Sequence, residues 1–244
     1  MKQVIYTISE NVPLTENVYR MVLTGDISAF HGPGQFLNIL VDGFYLRRPI
    51  SVCDLGTDSV TILYKVVGKG TEKMSTMKAG ETLDVLTGLG NGYETALSGE
   101  RPLLLGGGVG VPPLYLLAKQ LRQEDKQVSV VLGFNTSKEI FYEEEFRNLG
   151  CDVTVVTADG SYGKKGFVTD ALTDDYTYFY TCGPEPMLKA VYKATKTSGQ
   201  FSFEERMGCG FGACMGCSCR TITGFKRICK DGPVLKKEEI LWED

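Results

Sequence analysis

The sequence has one histidine, no strong excess of charge and no long uninterrupted apolar run. Its 244 residues carry 26 Lys and Arg against 30 Asp and Glu, so the net charge of −4 gives no electrostatic case for nucleic-acid binding. The most apolar stretch, residues 103–117, is broken by glycines and prolines, so we expect no membrane span. No apolar signal segment follows the first residues, and we expect a reducing cytoplasmic setting. The lone His31 precedes a Gly-Pro-Gly turn, and no residue is predicted to be catalytic.

Cysteines are concentrated near the end of the sequence. Five of the eight fall within residues 209–229, and three of these have the C-x4-C-x2-C spacing of plant-type [2Fe–2S] binding loops. Glycines between them let backbone N–H groups turn toward the sulfurs. A fourth thiolate is needed; Cys229, shortly after the loop, is the first candidate, and sequence alone leaves Cys219 open as a ligand. We therefore predict one [2Fe–2S] cluster bound by Cys209, Cys214, Cys217 and Cys229.

Two other interpretations of these cysteines remain open from the residues alone. A structural zinc site also uses four cysteines, although it usually presents them as two separate pairs. A disulfide framework is typical of short secreted chains. Cys219, two residues after Cys217, is interpreted as a buried free thiol or as a group behind the ligands.

The first part of the chain, residues 1–97, is predicted to be an antiparallel β-barrel. Short β-branched and aromatic runs alternate there with turn signals. In Arg47-Arg48-Pro49-Ile50-Ser51, an arginine precedes a proline, which favours an extended backbone for that arginine. Such a segment can hold a guanidinium beside a pyrophosphate, or it can be a strand edge with solvated arginines. Gly68-Lys-Gly70-Thr71 leads into a short helix, whose first turn is an anion site or an ordinary cap.

The middle part, residues 98–200, alternates strands and helices and predicts a Rossmann-like parallel sheet. Gly106–Gly110 forms a glycine turn between a strand and a helix, which can cradle phosphate, but its spacing is not G-x-G-x-x-G. The segment after the second strand, residues 133–138, has no arginine, which favours NAD over NADP, although Lys138 could serve. The remaining residues 201–244 are predicted to be a small [2Fe–2S] module near the surface.

These motifs, in this order, resemble the ferredoxin-reductase superfamily. The resemblance implies that Arg48 binds flavin phosphates, that Ser51 approaches the isoalloxazine, and that the dinucleotide phosphates lie near the glycine turn with Cys182 beside the nicotinamide. It implies an FAD site formed by Arg48, Pro49, Ile50, Ser51, Leu63, Tyr64, Lys65, Gly70 and Thr71. It implies an NAD site formed by Gly107, Gly108, Val109, Gly110, Cys182, Gly183 and Pro184.

The cysteine loop and Cys229-Lys-Asp-Gly-Pro233 extend the resemblance to the whole chain. The chain is similar to the electron-transfer subunits of NAD-dependent type B dihydroorotate dehydrogenases, which act in de novo pyrimidine (UMP) biosynthesis. The resemblance implies FAD, one [2Fe–2S] cluster, NAD as co-substrate, and an FMN-containing catalytic subunit in a heterotetramer with two subunits of each kind. Alternatives are the small subunit of another flavin and iron–sulfur oxidoreductase, of ferredoxin:NADP or sulfide dehydrogenase type, and a zinc-bearing, flavin-binding regulator.

Overall fold

The structure is a computed structural model and describes residues 1–242. Its first part is a closed antiparallel barrel with the strand order β1-β2-β5-β4-β3-β6, as the sequence predicts. Side chains that alternate along the strands fill the barrel interior, among them Tyr6, Ile39 and Ile62. The strands are β1 (Lys2–Pro13), β2 (Val18–Thr24), β3 (Phe36–Leu40), β4 (Arg48–Leu55), β5 (Ser59–Lys65) and β6 (Thr82–Leu89), and α1 (Lys69–Thr76) connects the last two.

The second part is a sheet of parallel strands with helices packed on it. Its strands are β7 (Pro102–Gly107), β8 (Ser129–Phe134), β9 (Asp152–Thr157), β10 (Lys164–Lys165), β11 (Tyr178–Cys182) and β12 (Gly199–Ser202). The helices are α2 (Pro112–Gln123), α3 (Glu143–Asn148) and α4 (Glu185–Ala194). The order β10-β9-β8-β7-β11-β12 means that the chain leaves β7 in one direction and returns on its other side at β11. This reversal is the switch point at which open α/β sheets bind their ligands.

The last part of the chain joins this sheet. A hairpin of β13 (Ser218–Thr221) and β14 (Gly224–Arg227) is followed by β15 (Val234–Lys236), which pairs antiparallel with β12. The sequence analysis did not foresee this seventh strand. Trp242 packs against Tyr192 and Phe201. The domain limits at residues 97 and 200 stay predictions.

Helix α2 joins the barrel to the sheet. It begins at Pro112, where proline is favoured because the first N–H groups of a helix lack partners. Lys119 Nζ lies 2.8 Å from Asp54 Oδ1 of β4. Leu63 of the barrel and Leu117 of the helix share one apolar cluster. No helix within residues 1–242 is both long enough and apolar enough to cross a membrane.

Candidate functional site

The first turn of α1 faces the guanidinium group of Arg48. A Cβ built on Gly70 would lie 2.6 Å from Arg48 Cζ, so only glycine leaves room for this approach. Arg48 also covers the ring of Phe44, with Cζ 4.9 Å from the ring centroid, and donates to the Leu46 carbonyl. Because the first N–H groups of a helix have no partner within it, this cation and the helix end together form a site suited to a phosphate.

The neighbouring arginine has a different role. Arg47 Nη2 lies 2.9 Å from Asp84 Oδ1, and Nη1 donates to the carbonyls of Asp84 and Asn38. These bonds join β4 to β3 and β6. Of the two arginines in the motif, Arg47 therefore ties the barrel together, whereas Arg48 faces the first turn of α1.

Thr71 organises the loop before the helix. Its hydroxyl accepts hydrogen bonds from the N–H groups of Val67 and Gly68 and donates to the Gly68 carbonyl at 3.0 Å. The side chain is 7% exposed. The hydroxyl of Thr71 thus stabilises the conformation of this loop. For the predicted contact with a pyrophosphate, the backbone N–H groups of the turn are available instead of this hydroxyl.

The register of β4 decides which predicted flavin residues can present a side chain. Directly paired residues of antiparallel strands face the same side. Ile50 is paired with Leu37, which lies in the barrel core, whereas Ser51 is paired with Phe36, which lies outside it. Pro49 and Ser51 therefore face outward. Ile50 faces the barrel core, on the same side as Arg48, which is paired with Ile39, and it remains partly exposed.

The same reasoning applies to β5. Tyr64 is 1% exposed, and its hydroxyl donates to Asn11 Oδ1 inside the barrel at 2.9 Å. Leu63 packs in the cluster between the barrel and α2, and Lys65 remains partly exposed. The resemblance places all three residues in the FAD site, but the side chain of Tyr64 is directed into the barrel, so that only its backbone is available there.

The structure brings the glycine turn and Cys182–Pro184 together at the switch point. Gly106 is paired with Cys182 at the carboxyl ends of β7 and β11. A Cβ on Gly110 would lie 2.5 Å from the Gly183 nitrogen, and one on Gly107 would lie 3.2 Å from Pro184 Cδ. Side chains at positions 107 and 110 would push the glycine turn away from Cys182–Pro184, whereas glycines allow the two segments to touch.

The outer side of this turn is open. Gly108 has a φ of +51°, and a Cβ built there would meet no atom within 4 Å. Val109 is 39% exposed. A ligand phosphate can therefore approach the backbone of the turn, as the sequence predicts for NAD.

Cys182 is held as a neutral thiol. Burial raises the pKa of its thiol to about 12, against the opposing effect of a hydrogen bond with Ser202. Ser202 is its partner across β11 and β12. Local sequence patterns do not reveal Ser202, because its contact with Cys182 depends on the register of two strands.

The cysteine loop forms one sulfur pair at the surface. Cys209 Sγ accepts hydrogen bonds from the N–H groups of Ala213 at 3.2 Å and Cys214 at 3.4 Å, and Cys214 Sγ accepts one from the N–H of Cys209. Burial acts to raise the pKa of Cys209. Hydrogen bonds from backbone N–H groups, including those of Phe211 and Cys214, outweigh burial and lower that pKa to about 6. This is the environment of a thiolate ligand.

The second sulfur pair is buried. Cys217 and Cys229 are each 2% exposed, and the N–H of Cys229 lies 3.4 Å from Cys217 Sγ. They share an apolar cluster with Phe36 and Leu89 of the barrel. Burial raises the pKa of Cys229 to about 12, and the neighbouring Cys217 and Cys209 add to this rise.

These four cysteines fit a two-iron cluster. A [2Fe–2S] cluster takes four thiolates, two on each iron, and the structure presents two pairs. Within residues 1–242, no three His, Cys, Asp or Glu side chains are gathered in the way that holds one metal ion. All eight cysteines lie in this range, and each is a free thiol in the structure.

Cys219 lies outside the two pairs, on the hairpin. It is opposite Lys226 in the pairing of β13 and β14 and is partly buried. Burial raises the pKa of its thiol. Its burial is partial and not complete as expected, and its place behind the ligands stays a prediction.

Two hydrogen bonds hold the cysteine loop in place, and the sequence analysis missed both donors. Asn38 Nδ2 of β3 donates to the Cys209 carbonyl at 3.2 Å. Arg227 Nη1 donates to the Gly212 carbonyl at 2.8 Å, and Arg227 also pairs with Asp231. The loop thus rests on β3, next to the strand that carries the predicted flavin residues.

Comparison with known proteins agrees with this geometry. Residues 204–241 match the iron–sulfur cluster binding domain of dihydroorotate dehydrogenase B, and residues 104–193 match the oxidoreductase NAD-binding domain. The chain is 43% identical to the dihydroorotate dehydrogenase B (NAD(+)) electron transfer subunit of Geobacillus sp. (strain WCH70), over 99% of both chains. It is also 43% identical to that of Fusobacterium nucleatum, over 96% of both. The chain belongs to this family.

Solved structures support the assignment. A structure described as an NADH-dependent reduced ferredoxin-NADP oxidoreductase that performs flavin-based electron bifurcation is 31% identical, with a TM-score of 0.88, over 97% of this chain and 90% of the other. A ferredoxin NADP+ reductase from Neisseria gonorrhoeae shares the fold, with a TM-score of 0.68 at 18% identity over 80% of this chain and 90% of the other. The predicted ferredoxin-reductase fold and the oxidoreductase family are confirmed, and an electron transfer subunit implies a catalytic partner subunit.

Proposed function

We propose that this chain passes electrons between an FMN-containing catalytic subunit, which oxidises dihydroorotate to orotate, and NAD+ in the cytoplasm. FAD and one [2Fe–2S] cluster would serve as its internal carriers. The observation that carries the proposal is the contact between the cysteine loop and β3, the strand beside Arg48–Ser51. The free state of all eight cysteines suits a reducing compartment.

The chemistry explains why three sites are needed in one chain. Nicotinamide exchanges electrons in pairs as hydride, an iron–sulfur cluster takes one at a time, and a flavin does both. The chain's own residues then have simple tasks. Arg48 and the first turn of α1 would hold the flavin phosphates, the glycine turn would hold those of NAD, and Cys182 would present a neutral thiol at the nicotinamide.

The partner is proposed to dock around the cysteine loop. Phe211, Met215 and Phe225 are 44%, 55% and 73% exposed, and they lie on the loop and on the hairpin beside it. Met215 and Phe225 line one surface groove together with Asn91 and Arg227. Apolar side chains in such a patch are typical of a protein-binding surface. We propose a heterotetramer with two subunits of each kind.

NAD is proposed over NADP because of the segment after β8. Residues 133–138 follow the strand next to β7 and contain Lys138 but no arginine. A 2′-phosphate is usually recognised by arginine at this place. We therefore expect NADH to reduce the protein more efficiently than NADPH.

Anaerobic reduction of the purified protein tests the cofactors. NADH should bleach the flavin absorption, and the reduced protein should give the rhombic EPR signal of a [2Fe–2S] cluster. Absence of that signal after full reduction would remove the cluster from the proposal. Co-purification with an FMN enzyme, followed by reduction of this chain with dihydroorotate, tests the partner. If NADH reduces the chain but dihydroorotate with the partner never does, the pyrimidine assignment is wrong.

The alternative of a ferredoxin:NADP oxidoreductase subunit draws on the 31% identical structure. It predicts that reduced ferredoxin and NADPH, rather than dihydroorotate and NADH, are the productive pair. The same reduction assay with these reagents separates the two functions. The higher identity of 43% to dihydroorotate dehydrogenase B subunits favours the first.

A further inference from the structure

We propose that Asn38 is a positioning residue that fixes the cysteine loop against the flavin-binding strand and thereby sets electron transfer between the two carriers. Asn38 lies outside both ranges that match a family model. The inference rests on the proposed function. It adds the Asn38 amide to the proposed function, and the role of this amide can be disproved while the proposed function still holds.

Asn38 lies where the two proposed sites approach each other. It is on β3, between β4 and β6, and it is paired with Pro49 of the Arg48–Ser51 segment. Its side chain faces outward from the barrel, on the same side as those of Pro49 and Ser51. Although it faces outward it is only 1% exposed, because the cysteine loop covers it.

The contact with the loop is close and specific. Asn38 Nδ2 donates to the carbonyl of Cys209, a proposed cluster ligand, at 3.2 Å. The next residue, Gly210, has a φ of +80°, and a Cβ built there would lie 3.2 Å from Asn38 Cγ. The amide orientation follows from this pairing, since an oxygen turned toward the Cys209 carbonyl would be repelled. Glycine at 210 is required both for the turn and for this approach.

The amide is kept at a cost to stability. Asn38 Oδ1 is buried and has no hydrogen-bond partner within residues 1–242. A buried acceptor without a partner is unfavourable, and a leucine of similar size would fill the space without one. Positions that break the packing rules in this way are usually functional sites. We therefore attribute the presence of asparagine at this position to its Nδ2 donor, which holds Cys209.

The test compares Asn38→Leu and Asn38→Asp with the wild-type protein, each loaded with flavin and cluster. Asn38→Leu removes the donor and the unpaired oxygen, and Asn38→Asp keeps the size and loses the donor. Gln35→Leu is the matched control, because Gln35 is also a buried amide of the barrel, just before β3, and its Nε2 donates to a backbone carbonyl, that of Gly90 at 3.1 Å, and not to the cysteine loop. The readouts are the melting temperature, the EPR spectrum of the reduced cluster, and the rate of cluster reduction after rapid mixing with NADH.

We expect Asn38→Leu to keep or raise the melting temperature, to shift or broaden the EPR signal, and to slow cluster reduction about tenfold, the scale of one lost buried hydrogen bond. Asn38→Asp should give the same change in EPR and rate, and Gln35→Leu should change neither. If Asn38→Leu and Asn38→Asp keep the wild-type spectrum and rate, Asn38 is not a positioning residue, whatever happens to the melting temperature. If the wild-type protein itself shows no cluster, the proposed function fails first and takes this inference with it.

Discussion

The two halves of the cysteine site are held by different forces. Cys217 and Cys229 are buried among apolar side chains that the barrel and the sheet both supply. Cys209 and Cys214 lie on a surface loop, and backbone N–H groups point at their sulfurs. One half is fixed by packing and the other by hydrogen bonds.

This difference makes the two ends of the cysteine site unequal. Burial disfavours charge, and it raises the pKa of Cys229 to about 12, whereas N–H donors overcome burial and lower the pKa of Cys209 to about 6. The buried half joins the module to the protein interior. On the proposed function, the exposed half is the edge that the catalytic subunit reaches.

The largest expected effect comes from removing one ligand of each half. Cys229→Ser and Cys214→Ser should both lose the cluster, with iron content near zero, because a [2Fe–2S] cluster needs all four thiolates. Since both variants lack the cluster, their stabilities can be compared directly. Cys229→Ser should be less stable in urea unfolding by about 1–2 kcal/mol, because it buries a hydroxyl among apolar groups. Equal stabilities would show that the two halves do not differ as described.

The second prediction asks whether the buried half depends on the flavin. Arg48→Ala should weaken FAD binding at least about tenfold, the scale of a lost charged hydrogen bond, and leave the iron content unchanged. Arg47→Ala is the matched variant, and it should lower the free energy of unfolding because the carbonyls of Asp84 and Asn38 lose a donor and the Asp84 carboxylate loses its ion pair. FAD titration and iron analysis check both. Loss of iron in Arg48→Ala would mean that the cysteine site rests on the flavin and not on barrel packing.

Local patterns predicted the parts of this molecule whose signals lie close together in the sequence. The cysteine loop, the strand runs of the barrel and the strand–helix alternation of the sheet are of this kind. The inward direction of Ile50 and Tyr64 could not be predicted, because it depends on strand register. Asn38 and Cys209 are 171 residues apart, and no local pattern joins them. The same holds for β15, whose place in the sheet depends on the path of the whole chain.

A smaller effect is expected from loosening the exposed half alone. Arg227 holds the loop through its bond to the Gly212 carbonyl, so Arg227→Ala should let chelators remove iron several-fold faster, with the initial iron content kept. Lys226→Ala is the control, because Lys226 lies on the same hairpin but pairs with Glu239, away from the loop. Iron release to a chelator, followed by absorption, measures both. Equal release rates for the two variants would show that Arg227 does not hold this half.

The smallest effect is expected at Cys219, and it tests which residues make up the buried half. Cys219 is opposite Lys226 in the hairpin, whereas the N–H of Cys229 points at Cys217 Sγ. Cys219→Ser should therefore keep the iron content and the EPR spectrum of the wild type, and it should change the free energy of unfolding by less than about 1 kcal/mol. The opposite pattern, in which Cys219→Ser loses the cluster and Cys229→Ser keeps it, would place the fourth ligand on the hairpin. The buried half would then be held by one short strand and not by the junction of barrel and sheet. Apolar packing at that junction would no longer explain where the buried half lies.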